Sequence, residues 1–397
     1  MSINLLILKS IIFIRYFYNP KFKMIDSDFV IVGAGPSGLT LSYKLLQAGK
    51  SVTIIERDKR VGGLAKSFEY EGNIFDLGPK RFHTDDSKVT EFIDSVMDLN
   101  IIGRSTLVCF FNRYLDWPLR RRDLLRLPIN ISIKSGLDIL NKVPPQDKTS
   151  FKQFIESKYG QTLYKTFFEP YTSKFLRWDP KDLHSDWATT GINRAVIDEE
   201  VNQTTDSTLS IVKSLLLPAK VDTKFKYPSK GGFGGFFDIL FAKCQEFPSF
   251  KVFLNSTLSS IDNKGFNDQD IIVKVNQTEI STKKLIWTGN VNDLNKIITN
   301  VSGESKKVPK MHYLNTRFVN FTIKESTISK NKAQWIYISD GSLMTSRITC
   351  MKEFNPNTCN SGYYNLICEV TESQDSKKED RLNKTKLGLK VIDELQN

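Results

Sequence analysis

The stretch DFVIVGAGPSGLTLSYKLLQAGKSVTIIERD, residues 28–58, constrains what this chain can fold into more than any other. Asp28 to Val32 is an apolar run entering a buried strand, and Gly33, Gly35 and Gly38 follow at the G-x-G-x-x-G spacing where a strand hands over to a helix. Gly33 permits a tight turn, Gly35 lets backbone N–H groups approach a pyrophosphate with no Cβ in the way, and Gly38 lets the helix pack close on the strand. The helix N-terminus then faces the phosphates. Leu39 to Gly49 keeps helical rhythm up to a C-terminal glycine, and Ser51 to Ile55 reads as a second strand ending at Glu56. Glu56 lies 18 residues past Gly38, where a carboxylate accepts hydrogen bonds from both ribose hydroxyls of an adenosine and repels a 2′-phosphate. Strand, helix and acid in this order predict a dinucleotide site. A chance glycine turn in an α/β fold would need all three to coincide.

Directly after the acid, Arg60, Gly62, Gly63 and Leu64 make an R-x-G-G-x pattern. Taken alone, Gly62 and Gly63 could be an ordinary hairpin turn. Placed just beyond Arg57, the pattern resembles the FAD-binding signature of the amine oxidase superfamily, where paired glycines bring a second stretch of backbone alongside the pyrophosphate and ribityl chain. The resemblance implies FAD as the cofactor.

The 397 residues, 40% of them hydrophobic, suffice for a large core and for two or three domains. A formal charge of +12 is compatible with nucleic acid, a membrane surface or an anionic small substrate. The lysines are scattered, which disfavours nucleic acid. The one tight basic cluster, Arg120-Arg121-Arg122 with Arg126, opens an amphipathic segment, DLLRLP. It reads as a solvated helix face, with a phosphate or lipid contact as the alternative. The five cysteines, Cys109, Cys244, Cys350, Cys359 and Cys368, are odd in number and lack C-x-x-C. That argues against a disulfide framework or a zinc site and points to a reducing, cytoplasmic setting. None of His83, His184 and His312 has metal-ligand spacing. Ile3 to Ile14 is apolar over about 12 residues, far short of the roughly 20 that span a bilayer, and it lacks the flanks of a secretory signal. Met24 precedes the first strand, so residues 1–23 read as an extension or an upstream start, with a peripheral amphipathic anchor as the other reading.

Along the chain, Asp86 to Leu99 has helical spacing, Leu107 to Leu115 looks like strand, and from about Arg120 to Ile211 aromatic and aliphatic residues recur at helical intervals. YPSKGGFGGFFDIL, residues 227–240, is a glycine-rich turn into a helix. KVFLNSTLSSI, IIVKV and KKLIWTGN then return as strands, the last reaching a turn at Gly289. HYLNTRFVNFTI, QWIYISDGS, SRITCMKEF and YYNLICEV alternate like an antiparallel sheet. The expected fold class is α/β: a discontinuous Rossmann-type FAD-binding domain (24–105 and 228–300), a mostly helical insertion (106–227) and an antiparallel-sheet substrate domain (301–397).

With these pieces in order, the chain resembles the protoporphyrinogen-oxidase-like and UDP-galactopyranose-mutase-like branch of the FAD amine oxidase superfamily. The resemblance runs from about residue 27 to 396. Besides the two glycine motifs, it is carried by Gly78-Pro79-x-x-Phe82-His83-Thr84, by Gly160-x-x-Leu163-Tyr164-x-x-Phe167-Phe168-x-Pro170-Tyr171-Thr172-x-Lys174, and by Tyr227-Pro228-x-x-Gly231-Gly232. Trp287-Thr288-Gly289 and Ser346-Arg347-Ile348 are similar to two further segments of the mutase. The resemblance implies that FAD is held by Gly33, Gly35, Pro36, Ser37, Gly38, Glu56, Arg57, Gly62, Gly63, Leu64, Phe82 and Thr288. It also implies that His83 lies by the flavin ring and that Arg347 sits near the flavin and substrate phosphates, where a planar fork holds a phosphate bidentately. A structural role for either residue is the alternative.

Three departures bear on substrate. Lys80 stands where the family carries a histidine, Trp178 is displaced by two positions from the mutase's K-x-W-G step, and the terminal G-R-x-G-x-x-x-Y segment does not appear, so a C-terminally truncated fragment is expected. Two reactions follow from the resemblance. The first is oxidation of a small molecule with the flavin as hydride acceptor, which Lys80 and the D-W-A run at 186–188 favour. The second is isomerisation of a nucleotide sugar with no net redox change. An inactive relic is the third reading.

Overall fold

The computed structural model describes residues 24–117, 121–141, 143–188, 224–262, 270–302, 313–328, 332–373 and 383–396. The expected extension 1–23, Arg120, the end of the expected helical block from 189, and His312 lie outside the described residues. The chain forms two compact units, one from Met1–Leu64 with Phe237–Pro309, the other from Ala65–Phe236 with Lys310–Asn397.

The first unit is built on a six-stranded sheet in the order Leu258–Asp262, Ile271–Val275, Thr278–Trp287, Ile25–Val32, Val52–Ile55, Phe250–Phe253. Pairings from Thr278–Trp287 onward are parallel, and the other two are antiparallel. Strands from before residue 56 and from after residue 249 therefore share one sheet, as a discontinuous Rossmann-type domain requires. Val30, Val273, Val275 and Ile280 are fully buried in its core, the expected outcome for strands this rich in β-branched residues. Val32 pairs with both Ile55 and Trp287. That register brings Gly33, Glu56 and Thr288 out together at the carboxyl edge, where open α/β sheets bind their ligands.

The second unit carries its own six-stranded sheet, in the order Leu314–Lys324, Tyr363–Ser373, Thr345–Cys350, Trp335–Ile338, Thr106–Phe110, Arg113–Asp116. All pairings are antiparallel except Trp335–Ile338 with Thr106–Phe110. The helices Ile129–Leu140, Phe151–Leu163 and Glu169–Leu176 belong to this unit. Phe151, Ile155, Phe167 and Phe168 pack with Val108, Phe110 and Leu115 into a single aromatic-rich core. The C-terminal helix Lys384–Gln396 packs Leu387 and Val391 against Cys368 and Val370.

Two expectations need correction. Residues 106–116 belong to the antiparallel sheet and not to a helical insertion, and they form a hairpin instead of one strand. Phe111 and Asn112 both have positive φ, 49° and 53°, the backbone of a two-residue hairpin turn that suits asparagine and is unusual for phenylalanine. The unit boundary falls at Leu64/Ala65, well before residue 105, because the hairpin Ser67–Tyr70/Asn73–Asp76 and the helix Ser87–Val96 lie in the second unit. Among the described residues no helix is long and apolar enough to cross a membrane.

Candidate functional site

In the first unit, the glycine turn leads from Val32 into the helix Pro36–Gln47, with Pro36 in its first turn and Gly35 as N-cap without a side-chain cap bond. The turn is too tight for any side chain. Gly33 has φ +105°, and a Cβ on it would lie 2.8 Å from Thr288 Oγ1; a Cβ on Gly38 would lie 1.9 Å from the Gly33 carbonyl oxygen. Thr288 pins the turn from across the sheet, its hydroxyl donating to the carbonyls of Val32 and Gly33 at 3.0 and 3.1 Å. The second glycine motif packs onto the first. Gly62 N–H donates to the Ala34 carbonyl at 2.8 Å, and a Cβ on Gly63 would lie 3.0 Å from Gly35 Cα.

Glu56 closes the cradle. It is buried, its Oε2 accepting the Ala34 N–H at 2.7 Å and its Oε1 the Asp58 N–H at 2.9 Å. Each oxygen keeps a lone pair, so the carboxylate can still accept ribose hydroxyls. A dinucleotide fits what is present: bare backbone where a Cβ would intrude, a helix start without a side-chain cap, and an acid at the end of the second strand. Gly33, Gly35, Gly38, Glu56, Gly62, Gly63 and Thr288 are thus brought together. Ser37 is exposed on the first turn of the helix. Arg57 and Leu64 are set apart by exposure: the Arg57 guanidinium sits 3.4 Å from Asp293, and Leu64 is 80% exposed.

In the second unit, neighbouring strands place Tyr337 opposite Arg347 and Arg347 opposite Glu369. Cross-strand neighbours share a face, and Arg347 donates from Nε to Glu369 Oε1 and from Nη2 to Oε2, both at 2.8 Å. Burial alone would lower the pKa of Arg347, but the Glu369 carboxylate outweighs it and holds the guanidinium charged. The guanidinium carbon lies 5.9 Å from the centroid of the Tyr337 ring, which meets Tyr171 edge-on. Gly78 leaves room for the acid, since a Cβ there would lie 2.9 Å from Glu369 Oε1. Lys80 belongs to the same electrostatic cluster: burial lowers its pKa, and Glu369 and Asp76 oppose that while Arg347 adds to it.

Two further polar groups are deeply buried here. Asp76 accepts from the hydroxyls of Ser67 and Tyr227 and from the Phe233 N–H, and burial pushes its carboxyl up to about 6. Lys174 donates Nζ to the carbonyls of Ile338, Asp340 and Thr345 at 2.7, 2.7 and 2.9 Å, and burial lowers its pKa to about 8. Lys174 lies inside a quoted motif. Glu369 and Asp76 escaped sequence reasoning, because a lone acid in an alternating strand carries no local signal. Phe82 and His83 sit on the strand Lys224–Pro228: Phe82 exchanges backbone bonds with Lys226 and packs 4.6 Å from the Phe233 ring, while His83 is exposed, Nδ1 lying 3.3 Å from the Lys224 carbonyl. Among the described residues no cluster of His, Cys, Asp or Glu could hold a metal ion.

Comparison with known proteins places the chain in a family. A stretch of 76 residues is 45% identical to UDP-galactopyranose mutase of Mycoplasma pneumoniae, and 169 residues are 27% identical to protoporphyrinogen oxidase 1 of spinach chloroplasts (Spinacia oleracea). These matches cover 18% and 39% of this chain, and only 19% and 30% of the two relatives. A crystal structure of reduced UDP-galactopyranose mutase superposes with a TM-score of 0.73 at 20% identity, over 92% of this chain and 78% of that one. A putative protoporphyrinogen oxidase from Exiguobacterium sp. 255-15 superposes with 0.69 at 14% identity, over 94% and 83%. These two share the fold. The family profile of flavin-containing amine oxidoreductases matches residues 36–396, nearly the whole chain, so this protein belongs to that family and its cofactor is FAD.

Proposed function

We propose that the protein is an FAD-dependent oxidoreductase acting on a small organic molecule, with bound FAD supplying hydride acceptance. The observation that carries this reading is the closed pair between Arg347 and Glu369. An arginine placed to grip a nucleotide-sugar diphosphate needs its fork free, and here Nε and Nη2 are both committed to a carboxylate that is 3% exposed. Opening such a pair leaves a buried charge without a partner, at a cost of about 3–5 kcal/mol.

The residues divide the work. The bare glycine turn and the first turn of Pro36–Gln47 hold the pyrophosphate, and Glu56 accepts the ribose hydroxyls. In the second unit, Tyr337 and Tyr171 meet edge-on beside the paired charges of Arg347 and Glu369. Five free thiols favour a reducing, cytoplasmic compartment.

Isomerisation of a nucleotide sugar is the second reading, favoured by the 45% identity to the mutase over 76 residues. One experiment separates them. Under anaerobic conditions, an amine, porphyrinogen or desaturation substrate should bleach the oxidised flavin. UDP-galactose isomerised only after chemical reduction, with the flavin spectrum unchanged across turnover, would replace the first reading with the second.

A further inference from the structure

The segment Asp76–Phe82 crosses one face of the antiparallel sheet in the second unit and is pinned along its length. Asp76 accepts from Ser67, Tyr227 and Phe233 at one end, and Phe82 exchanges backbone bonds with Lys226 at the other. Between them Gly78, at φ +77°, lies so close to the sheet that a Cβ would sit 2.9 Å from Glu369 Oε1 and 3.3 Å from the Phe318 ring. The Arg81 guanidinium lies 4.9 Å from the centroid of the Trp335 ring. Phe318, Glu369, Arg347 and Tyr337 are successive cross-strand neighbours, and Trp335 is two residues along the strand from Tyr337, so all five share that face. Lys80, between Gly78 and Arg81, is thereby set over the same face, within electrostatic reach of Glu369 and Arg347.

Lys80 is half-buried, and among the described residues its ammonium makes no hydrogen bond and no ion pair. A cation drawn partly out of water with three donors unmade is costly unless something supplies acceptors. The nearby acids do not. Both Glu369 oxygens are held by Arg347 at 2.8 Å, and the Asp76 oxygens are taken by Ser67, Tyr227 and Phe233. The hydroxyls of Tyr337 and Tyr171 likewise have no partner among the described residues. Their rings meet edge-on, and the Tyr171 ring runs parallel to those of Phe167 and Phe175 at 6.1 and 5.9 Å. One uncommitted cation matches one negative charge, since the second charge of a dianion would be left beside the buried carboxylate of Glu369. Aromatic rings around a few polar tips suit a flat apolar body with an anionic end.

We propose that Lys80 anchors the substrate through a carboxylate, which makes the substrate class an aromatic monocarboxylic acid; this rests on the oxidation proposed above. The test is calorimetric titration of the full chain, loaded with FAD, with benzoate and with benzamide, its neutral isostere. Benzoate should bind at least about tenfold more tightly than benzamide. Lys80→Met should remove that preference and leave benzamide unchanged, and Lys80→Arg should retain it. Without ligand, Lys80→Met should unfold at a temperature no lower than the wild type's, because methionine relieves an unpaired, partly desolvated charge. A lysine with a purely structural role would cost stability on removal. Equal binding of the two probes, no benzoate binding by the wild type, or full benzoate affinity in Lys80→Met would overturn the proposal. So would a shifted flavin reduction potential in Lys80→Met with benzoate affinity intact, which would give the ammonium to the cofactor. Anaerobic bleaching of the flavin reports on the oxidation separately: benzoate held by the wild type and lost by Lys80→Met supports the anchor whichever way the bleaching falls.

Discussion

Arg347 and Glu369 face each other across adjacent strands and share two parallel hydrogen bonds of 2.8 Å, with Glu369 almost wholly buried. Such a pair is costly to break and cheap to replace as a unit. Glu369→Gln and Arg347→Met should each lower stability by about 3–5 kcal/mol in urea unfolding, whereas Arg347→Met/Glu369→Leu should lose clearly less than the sum. Additive losses would mean that the two groups are not coupled.

Glu56 ties the phosphate turn to the second strand through Ala34 and Asp58. Glu56→Ala removes charge-assisted bonds worth about 1.5–3 kcal/mol, so FAD affinity by fluorescence titration should fall about 10- to 100-fold. Binding as tight as the parent's would show that the acid does not serve the cofactor.

Asp76 makes stability depend on pH. Burial raises its folded pKa to about 6, above the 3.8 of an ordinary aspartate, so between those values the folded state holds a proton that the unfolded chain has lost. The stabilisation is complete below pH 3.8 and fades as pH rises through 6. Its full size is about 3 kcal/mol, at 1.36 kcal/mol per unit. Urea unfolding across that window should show the decline in the wild type and not in Asp76→Asn. Parallel profiles would assign the pH dependence to other groups.

The first unit was legible because its chemistry is local: three glycines, a helix start and an acid at fixed spacing describe the turn almost completely. The second unit was less so. Glu369 sits in YYNLICEV as one more polar position of an alternating strand, and only the register with Thr345–Cys350 puts it on Arg347. The hairpin at Phe111–Asn112 was hidden because its turn lacks the usual glycine. Periodicity found the amphipathic character around DLLRLP but is silent on which side faces the core, and Ile129–Leu140 turns its aliphatic side out. The helix Lys384–Gln396 was not anticipated, although its Glu394 accepts from the Met344 and Thr345 backbone.

The bond from Thr288 to the Gly33 carbonyl spans 255 residues of sequence. A ribosome that has finished the glycine turn has yet to make the strand flanking it and the hydroxyl pinning it. At about 5–20 residues per second, that gap lasts roughly tens of seconds. During that interval the glycine turn has one wall missing, and FAD can be captured only once the return strand Thr278–Trp287 has left the exit tunnel. Cofactor loading in this protein therefore waits on a residue made 255 positions after the turn that it completes.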